Sequence, residues 1–243
     1  MIIQDSIQFG TTRIGYDIVY SDKRNNASLA VYPYKQVEIV VPNTLKREHI
    51  QALVRKKADW VVKQLVWFDE IAQVESTKEY VSGETFLYLG RQYRLKIEKG
   101  AGRPQAKLIG GHFLISLPKH MEQSKHKKAV KALIWRWYRA QAHDTIGRAI
   151  KYYSRRLGIP EAQFIIKNQY KRWGSCTSKG TLIFNIRAVM APMSQMEYIV
   201  AHELCHIKHN SHSHKFWNLL RAIMPDYEER KERLRKDGWK YTI

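Results

Sequence analysis

A short stretch of this 243-residue chain concentrates side chains that bind metals and transfer protons. Residues 198–217, YIVAHELCHIKHNSHSHKFW, contain five histidines, one glutamate and one cysteine. Within it, His202, Glu203 and His206 form the pattern H-E-x-x-H. In a helix, residues four apart are only ~40° apart around the axis and one turn apart along it, so both imidazoles reach one ion. The spacing therefore predicts a metal site with Glu203 beside it as the general base.

A third metal ligand must come from outside this pair, because a catalytic zinc keeps three protein ligands and one open position. His212 is the favoured residue, since Asn210 and Ser211 are suited to ending the helix and turning the chain back towards the ion. The sequence thus predicts Zn2+ coordinated by three imidazoles, those of His202, His206 and His212.

Other ligand sets remain open. His214 is a weaker candidate, because its position depends on the helix that follows. Glu228 or Glu229 would instead give a site with two histidines and one carboxylate. A closed site with four ligands would indicate structural rather than catalytic zinc.

The helix that carries these residues has its own sequence signals. Ser194 and Glu197 form a capping box, which predicts the helix start. Val200, Leu204 and Ile207 lie on the side opposite the two histidines and predict a packed face. Cys205 is expected to be a small buried residue.

The rest of the chain predicts a mixture of strands and helices. A strand is expected at Val37–Val41, followed by a helix capped by Asn43 or Thr44. Residues 80–118 predict a small antiparallel sheet, and a long helix should end at Gly158. Further strands are expected in two segments that form a hairpin or a neighbouring pair, residues 162–169 and 181–189. We expect a β-rich region over 1–118 and a metallohydrolase domain over 119–243.

The chain is strongly basic, with a formal net charge of +20 and a pI near 9.9. Residues 119–158 carry eleven Lys or Arg and two acids, with five Trp or Tyr side chains interleaved. Cations with aromatics suit phosphate contact and base stacking. This predicts a nucleic-acid-binding segment whose first candidates are Lys125, Lys127, Lys128, Lys131, Arg136 and Arg139.

Cysteine content and hydropathy indicate the compartment. Only two cysteines occur, the N-terminus MIIQDSIQFG lacks the pattern of a secretory signal, and no apolar run reaches the ~18 residues of a membrane helix. We therefore expect a cytoplasmic protein that does not enter the membrane.

Three blocks of the sequence resemble the YgjP-like and SprT-like (WLM) group of zincin metallopeptidases: KNQYKRWGSCTSKGTLIFNIRAVMAP, YIVAHELCHIKHNSHSHKFW and MPDYEERKERL. The resemblance implies an α+β fold with a zincin-like C-terminal half, made of a strand pair and the H-E-x-x-H helix, behind a β-rich N-terminal region with long helices. It also implies zinc ligation by His202, His206 and His212, with Glu203 as general base. YgjP-like sequences have been labelled both metallopeptidases and nucleotide pyrophosphatases.

The leading functional prediction is a zinc metallopeptidase that acts on protein or peptide substrates and is recruited to nucleic acid by residues 119–158. The alternatives are a metal-dependent nucleotide phosphohydrolase and a nucleic-acid-binding protein with a structural zinc. Arg172, Tyr170 or Tyr198 are candidates to bind substrate or stabilise the oxyanion. Residues 181–187 are a candidate edge strand for an extended peptide.

Overall fold

The chain folds into two compact units, Met1–Ser76 and Thr77–Ile243. The computed structural model describes residues 2–22, 24–31, 37–72, 78–169 and 172–242. The predicted boundary between residues 118 and 119 differs from this division. The strands between residues 85 and 118 share one buried cluster with the long helix that follows, so the change from strands to helices does not mark a border between units.

The first unit is a four-stranded sheet with two helices. Its elements are β1 (Ile2–Phe9), β2 (Thr12–Tyr20), β3 (Ser28–Val31), β4 (Val37–Val41), α1 (Arg47–Lys56) and α2 (Ala58–Ala72). The strand order is β1-β2-β4-β3, and only β2 and β4 run parallel. Alternate side chains of β2 and β4 point inwards, where Ile50 and Val54 of α1 join them in one core.

The second unit begins with another four-stranded sheet and the longest helix. The elements are β5 (Thr85–Tyr88), β6 (Arg91–Gly100), β7 (Gln105–Ile109), β8 (His112–Pro118) and α3 (Gln123–Leu157). The strand order is β5-β6-β8-β7, and β6 pairs with β8 in parallel, so the expected antiparallel sheet is only partly present. Gly158 ends α3 in the left-handed conformation, as predicted.

A three-stranded sheet and three helices complete the second unit. They are β9 (Phe164–Lys167), β10 (Gly174–Cys176), β11 (Leu182–Asn185), α4 (Met193–Lys208), α5 (His214–Ile223) and α6 (Tyr227–Asp237), with short 3-10 turns at Ile186–Met190 and Gly238–Lys240. The strand order is β10-β11-β9. The two predicted strands are neighbours, but they run parallel. Because β11 lies at the centre of the sheet, the prediction of an edge strand at residues 181–187 is wrong. The strand β10 lies at an edge instead.

Two predicted helix starts are also corrected. The first helix begins at Arg47 with Lys46 at the N-cap, not at Asn43 or Thr44. Helix α4 begins at Met193 behind Pro192, and no side chain caps it. The predicted capping box is absent because Ser194 lies inside the helix and not at its N-cap, and Glu197 pairs with Arg230 at 2.9 Å.

The architecture is a mixed α+β fold with small sheets and long helices, which confirms the predicted class at that level. Within the described ranges, no helix combines the length and apolarity needed to cross a membrane.

Candidate metal centre

Helix α4 is fixed by burial on most of its surface. Nine of its 16 residues are buried: Gln195, Met196, Tyr198, Ile199, Val200, Ala201, Glu203, Leu204 and Cys205. Leu204 and Cys205 are fully enclosed. His202 and His206 are half-buried on the remaining side, which faces a cleft. The packed faces therefore set the direction in which the two imidazoles point.

Three histidine side chains converge at this cleft. His202, His206 and His212 each offer a ring nitrogen, and these atoms all lie within 4.8 Å of one another. The Nε2 atoms of His202 and His212 are 2.9 Å apart. Two nitrogens that each lie about 2.0–2.1 Å from one tetrahedral zinc are separated by about 3.4 Å. The cluster is therefore close to the spacing that a shared ion requires.

Hydrogen bonds orient two of the rings. Nδ1 of His206 lies 3.1 Å from the carbonyl oxygen of His209, and a neutral ring that donates this bond leaves the Nε2 lone pair free. Nδ1 of His202 lies 3.5 Å from the hydroxyl of Tyr198. Such partners fix the ring orientation of metal-binding histidines.

The surroundings favour neutral imidazoles, the form that binds metals. Burial lowers the pKa of His202 to about 3, and the neighbouring His206, His212 and Lys231 act in the same direction. Burial likewise lowers the pKa of His212, assisted by His206 and Lys231. The site therefore disfavours protons and is suited to a cation held by neutral nitrogens.

His212 lies in the connection between α4 and α5 and is held by aromatic rings. Its ring stacks on Trp217 with centroids 5.4 Å apart and an interplanar angle of 24°. Phe216 meets it edge-on at 4.8 Å. Trp217 also stacks on Tyr227 of α6 at 5.5 Å, and the ammonium of Lys231 lies 4.8 Å from the Trp217 ring centroid. Helices α5 and α6 therefore position the third imidazole.

Glu203 is a buried carboxyl beside the histidines, with 7% of its surface exposed. Burial raises its pKa to about 7, although the positive charge of Arg172 opposes the shift. A Cβ placed on Gly174 would lie 2.7 Å from Cγ and 2.8 Å from Oε1 of Glu203. Only a glycine at position 174 of β10 leaves room for this carboxyl. A carboxyl that titrates near neutrality is suited to accepting and returning a proton.

Buried Asn185 holds the loop that carries Arg172. Its side-chain amide donates to the carbonyl oxygens of Gln169 at 2.6 Å and Arg172 at 3.1 Å. Its backbone N–H donates to Trp173 at 2.8 Å. One asparagine thus fixes the loop against the end of β11 and places Arg172 in the wall of the cleft.

The cleft has a volume of about 680 Å³ and is lined by the histidine cluster, Glu203, Arg172, Asn210 and residues 174–178. Of the three predicted substrate-binding residues, Arg172 lies in this wall. Tyr198 is buried behind His202, where its hydroxyl meets the imidazole and does not reach the open cleft. Tyr170 lies outside the described residues.

The alternative ligands lie elsewhere. The Nδ1 atom of His214 is 3.0 Å from the Asn218 amide. Glu228 pairs with Arg221 at 2.9 Å, and Glu229 pairs with Arg233 at 2.6 Å. Among the described residues, the cluster with metal-binding geometry at this site contains neither carboxylate.

The six predicted nucleic-acid contacts are all exposed on the first half of α3. Lys125 pairs with Glu122, Lys131 lies over the Tyr80 ring, and Arg136 donates to the Pro104 carbonyl. The interleaved aromatics mostly face inwards: Trp135 and Trp137 are half-buried, and Tyr138 and Tyr153 are buried. Tyr152, 54% exposed, is the exception. Most of the aromatic side chains that were expected to stack on bases are therefore not exposed.

Four residues that shape the site were not predicted from the sequence: Gly174, Asn185, Trp217 and Lys231. Gly174 stood within the quoted RWGSC block, but its contact with Glu203 joins residues far apart in the chain. Trp217 follows His212 by five residues, and this spacing alone does not predict that the two rings stack. The bend between the helices is needed to bring them together.

Three imidazoles beside a buried carboxyl are the residue set of a metal-dependent hydrolase. The chain belongs to the YgjP-like family: the family model, described as YgjP-like, metallopeptidase domain, matches residues 25–237. This confirms the family resemblance and supports a metallopeptidase.

Two solved structures of metallopeptidase zymogens are similar over part of the chain. Pyrococcus abyssi abylysin is 21% identical with a TM-score of 0.36, and the match covers 37% of this chain and 92% of that one. Methanocaldococcus jannaschii jannalysin is 26% identical with a TM-score of 0.34, and the match covers 37% and 94%. No curated protein matches the chain significantly.

Proposed function

We propose that the protein is a zinc-dependent peptidase in which His202, His206 and His212 hold the metal and Glu203 is the general base. The observation that carries this proposal is the convergence of three ring nitrogens within 4.8 Å beside a buried carboxyl. Three neutral nitrogen ligands suit zinc and leave one position open. Zinc, when bound, supplies Lewis-acid polarisation of the scissile carbonyl.

Glu203 performs the proton transfers. Its carboxylate accepts a proton from the water that attacks the peptide carbonyl, and the protonated carboxyl then returns a proton to the leaving amine. Because Gly174 has no side chain, this carboxyl has room at its position beside β10.

The edge strand β10 offers a backbone surface for an extended substrate. Trp173 and Thr177 hydrogen-bond towards β11, at 2.8 Å to Asn185 and 2.9 Å to Thr181. In an antiparallel pair, alternate residues of a strand bond to the partner strand. Gly174 and Cys176, which alternate with the bonded positions, direct their N–H and C=O groups to the other side. That side is the open edge, where a peptide can pair by adding a strand.

The main test compares Glu203→Gln with wild type. The variant should retain a full equivalent of zinc by mass spectrometry but cleave quenched peptides about 10²–10⁴-fold more slowly. Glu161→Gln, an exposed glutamate elsewhere in the unit, is the matched control. Undiminished cleavage by Glu203→Gln would reject the base, and preferential hydrolysis of nucleoside triphosphates by wild type would favour the phosphohydrolase.

The ligand set is tested separately by zinc content. His202→Ala, His206→Ala and His212→Ala should each lose tight zinc binding, whereas His214→Ala should retain it. Loss of zinc in His214→Ala but not in His212→Ala would move the third ligand.

A further inference from the structure

Arg172 is a cation at the candidate site that forms no ion pair at contact distance with any described carboxylate. Its side chain is exposed in the cleft wall and its charge acts on Glu203. Within the described part of the chain, its guanidinium makes no hydrogen bond or ion pair. Other arginines in the same unit have carboxylate partners: Arg148, Arg221, Arg230, Arg233 and Arg235. Arg172 is therefore available to an anion that enters the cleft.

The backbone that carries this cation is anchored by the fold. Two hydrogen bonds from buried Asn185 hold the carbonyl oxygens of Gln169 and of Arg172 itself. Gly174, two residues on, is in contact range of Glu203. The backbone of Arg172 is therefore anchored close to the strand that contacts the proposed base.

The remaining wall is polar. The described lining provides hydroxyls from Ser175, Thr177 and Ser178 and the amide of Asn210. Apart from the three histidines, none of the described residues that line the cleft carries a large aliphatic or aromatic side chain, and Glu203 is the single carboxylate among them. Such a wall offers no apolar pocket for a bulky hydrophobic side chain, but it complements a negative charge.

We infer that Arg172 binds a carboxylate of the substrate, so that the cleft selects peptides with an acidic group next to the cleaved bond. The inference rests on the proposed peptidase function and names its substrate class. A guanidinium presents two parallel N–H donors to a carboxylate, a geometry that an ammonium does not reproduce. The carboxylate is that of an Asp or Glu side chain or of the peptide C-terminus.

The test uses matched quenched peptides that carry Glu, Gln or Lys at one position near the cleaved bond, each with a free or an amidated C-terminus. Wild-type protein loaded with zinc should show a kcat/KM about tenfold higher for the Glu peptide than for the Gln peptide. A preference for peptides with a free C-terminus over amidated ones, whichever side chain is present, would instead identify the terminal carboxylate as the group bound.

Variants assign the preference to one side chain. Arg172→Gln should bring the Glu-to-Gln ratio of kcat/KM close to one, Arg172→Lys should give an intermediate ratio, and Arg172→Glu should favour the Lys peptide. Arg103→Gln removes the same charge from an exposed turn and should keep the wild-type ratio. A wild-type ratio in Arg172→Gln overturns the inference, as does an equal loss on every peptide, which would indicate a role in the transition state.

A binding measurement separates this inference from the proposed function. The zinc-loaded Glu203→Gln protein should bind the fluorescent Glu peptide about tenfold more tightly than the Gln peptide by anisotropy, and the added Arg172→Gln change should remove that difference. If wild type cleaves no peptide but this difference remains, the peptidase proposal fails while the anion site stands. If the difference is absent, the anion site fails.

Discussion

Helices α3 and α4 show two ways in which polar side chains are held in the second unit. Nine of 16 residues are buried in α4, against 12 of 35 in α3. The polar residues of α4 therefore have fixed directions, because the surrounding core leaves the helix no freedom to rotate. The cations of α3 extend into solvent from a helix that is packed on one side only. The difference predicts where substitutions are costly and where they are tolerated.

The largest effect is expected for the core that holds α4. Leu204→Ala removes a fully buried side chain and should lower the free energy of unfolding by about 2–5 kcal/mol. Lys128→Ala on the exposed face of α3 should change it by less than about 0.5 kcal/mol. Urea unfolding of both metal-free variants measures the two values. Similar values for both would show that burial does not distinguish the helices.

A second substitution acts on the carboxyl of α4 without touching the helix. Gly174→Ala places a methyl group against Glu203, and a displaced general base should reduce kcat by about a hundredfold. Zinc content should stay at the wild-type value, since the histidines are not moved. Gly102→Ala, at a glycine with no atoms close to a Cβ, is the matched control. An unchanged kcat in Gly174→Ala would show that the site accommodates the added methyl group without displacing the Glu203 carboxyl.

The sequence predicted what depends on local spacing. The positions of His202, Glu203 and His206 on one helix follow from the 3.6-residue period, and the end of α3 follows from Gly158. The apolar pattern that marks a packed face is likewise local, so both helices could be located without the structure.

Features that depend on tertiary contacts were not accessible in this way. Ser194 and Glu197 have the spacing of a capping box, but Glu197 is used by Arg230 from α6. The order β10-β11-β9 places β11 at the centre and β10 and β9 at the edges, whereas periodicity does not reveal which strand is central. The fit of Glu203 against Gly174 brings together residues 29 positions apart.

The third histidine sharpens the comparison, because it belongs to a loop and relies on ring packing. Trp217→Leu removes the ring that stacks on His212 and should weaken zinc binding about tenfold to a hundredfold. Competition with a chromophoric chelator measures the affinity, and the visible spectrum of the Co2+ form reports the ligand geometry. Trp239→Leu, another half-buried tryptophan of this unit, should leave both unchanged. Equal affinities in wild type and Trp217→Leu would mean that the loop positions His212 unaided.

The smallest effect per residue is expected on α3, where phosphate contact by the exposed cations remains a prediction. Lys128→Gln combined with Arg139→Gln should reduce the slope of log Kd against log salt for a DNA oligonucleotide by about two, one per lost phosphate contact. Zinc content and the free energy of unfolding should not change, since both side chains are exposed. Because most aromatics of α3 face the core, Tyr152→Ala should weaken binding by no more than the stacking of one base. A wild-type affinity that does not vary with salt would mean that these charges serve no phosphate, and the cations of α3 would then act only as a solvated helix surface.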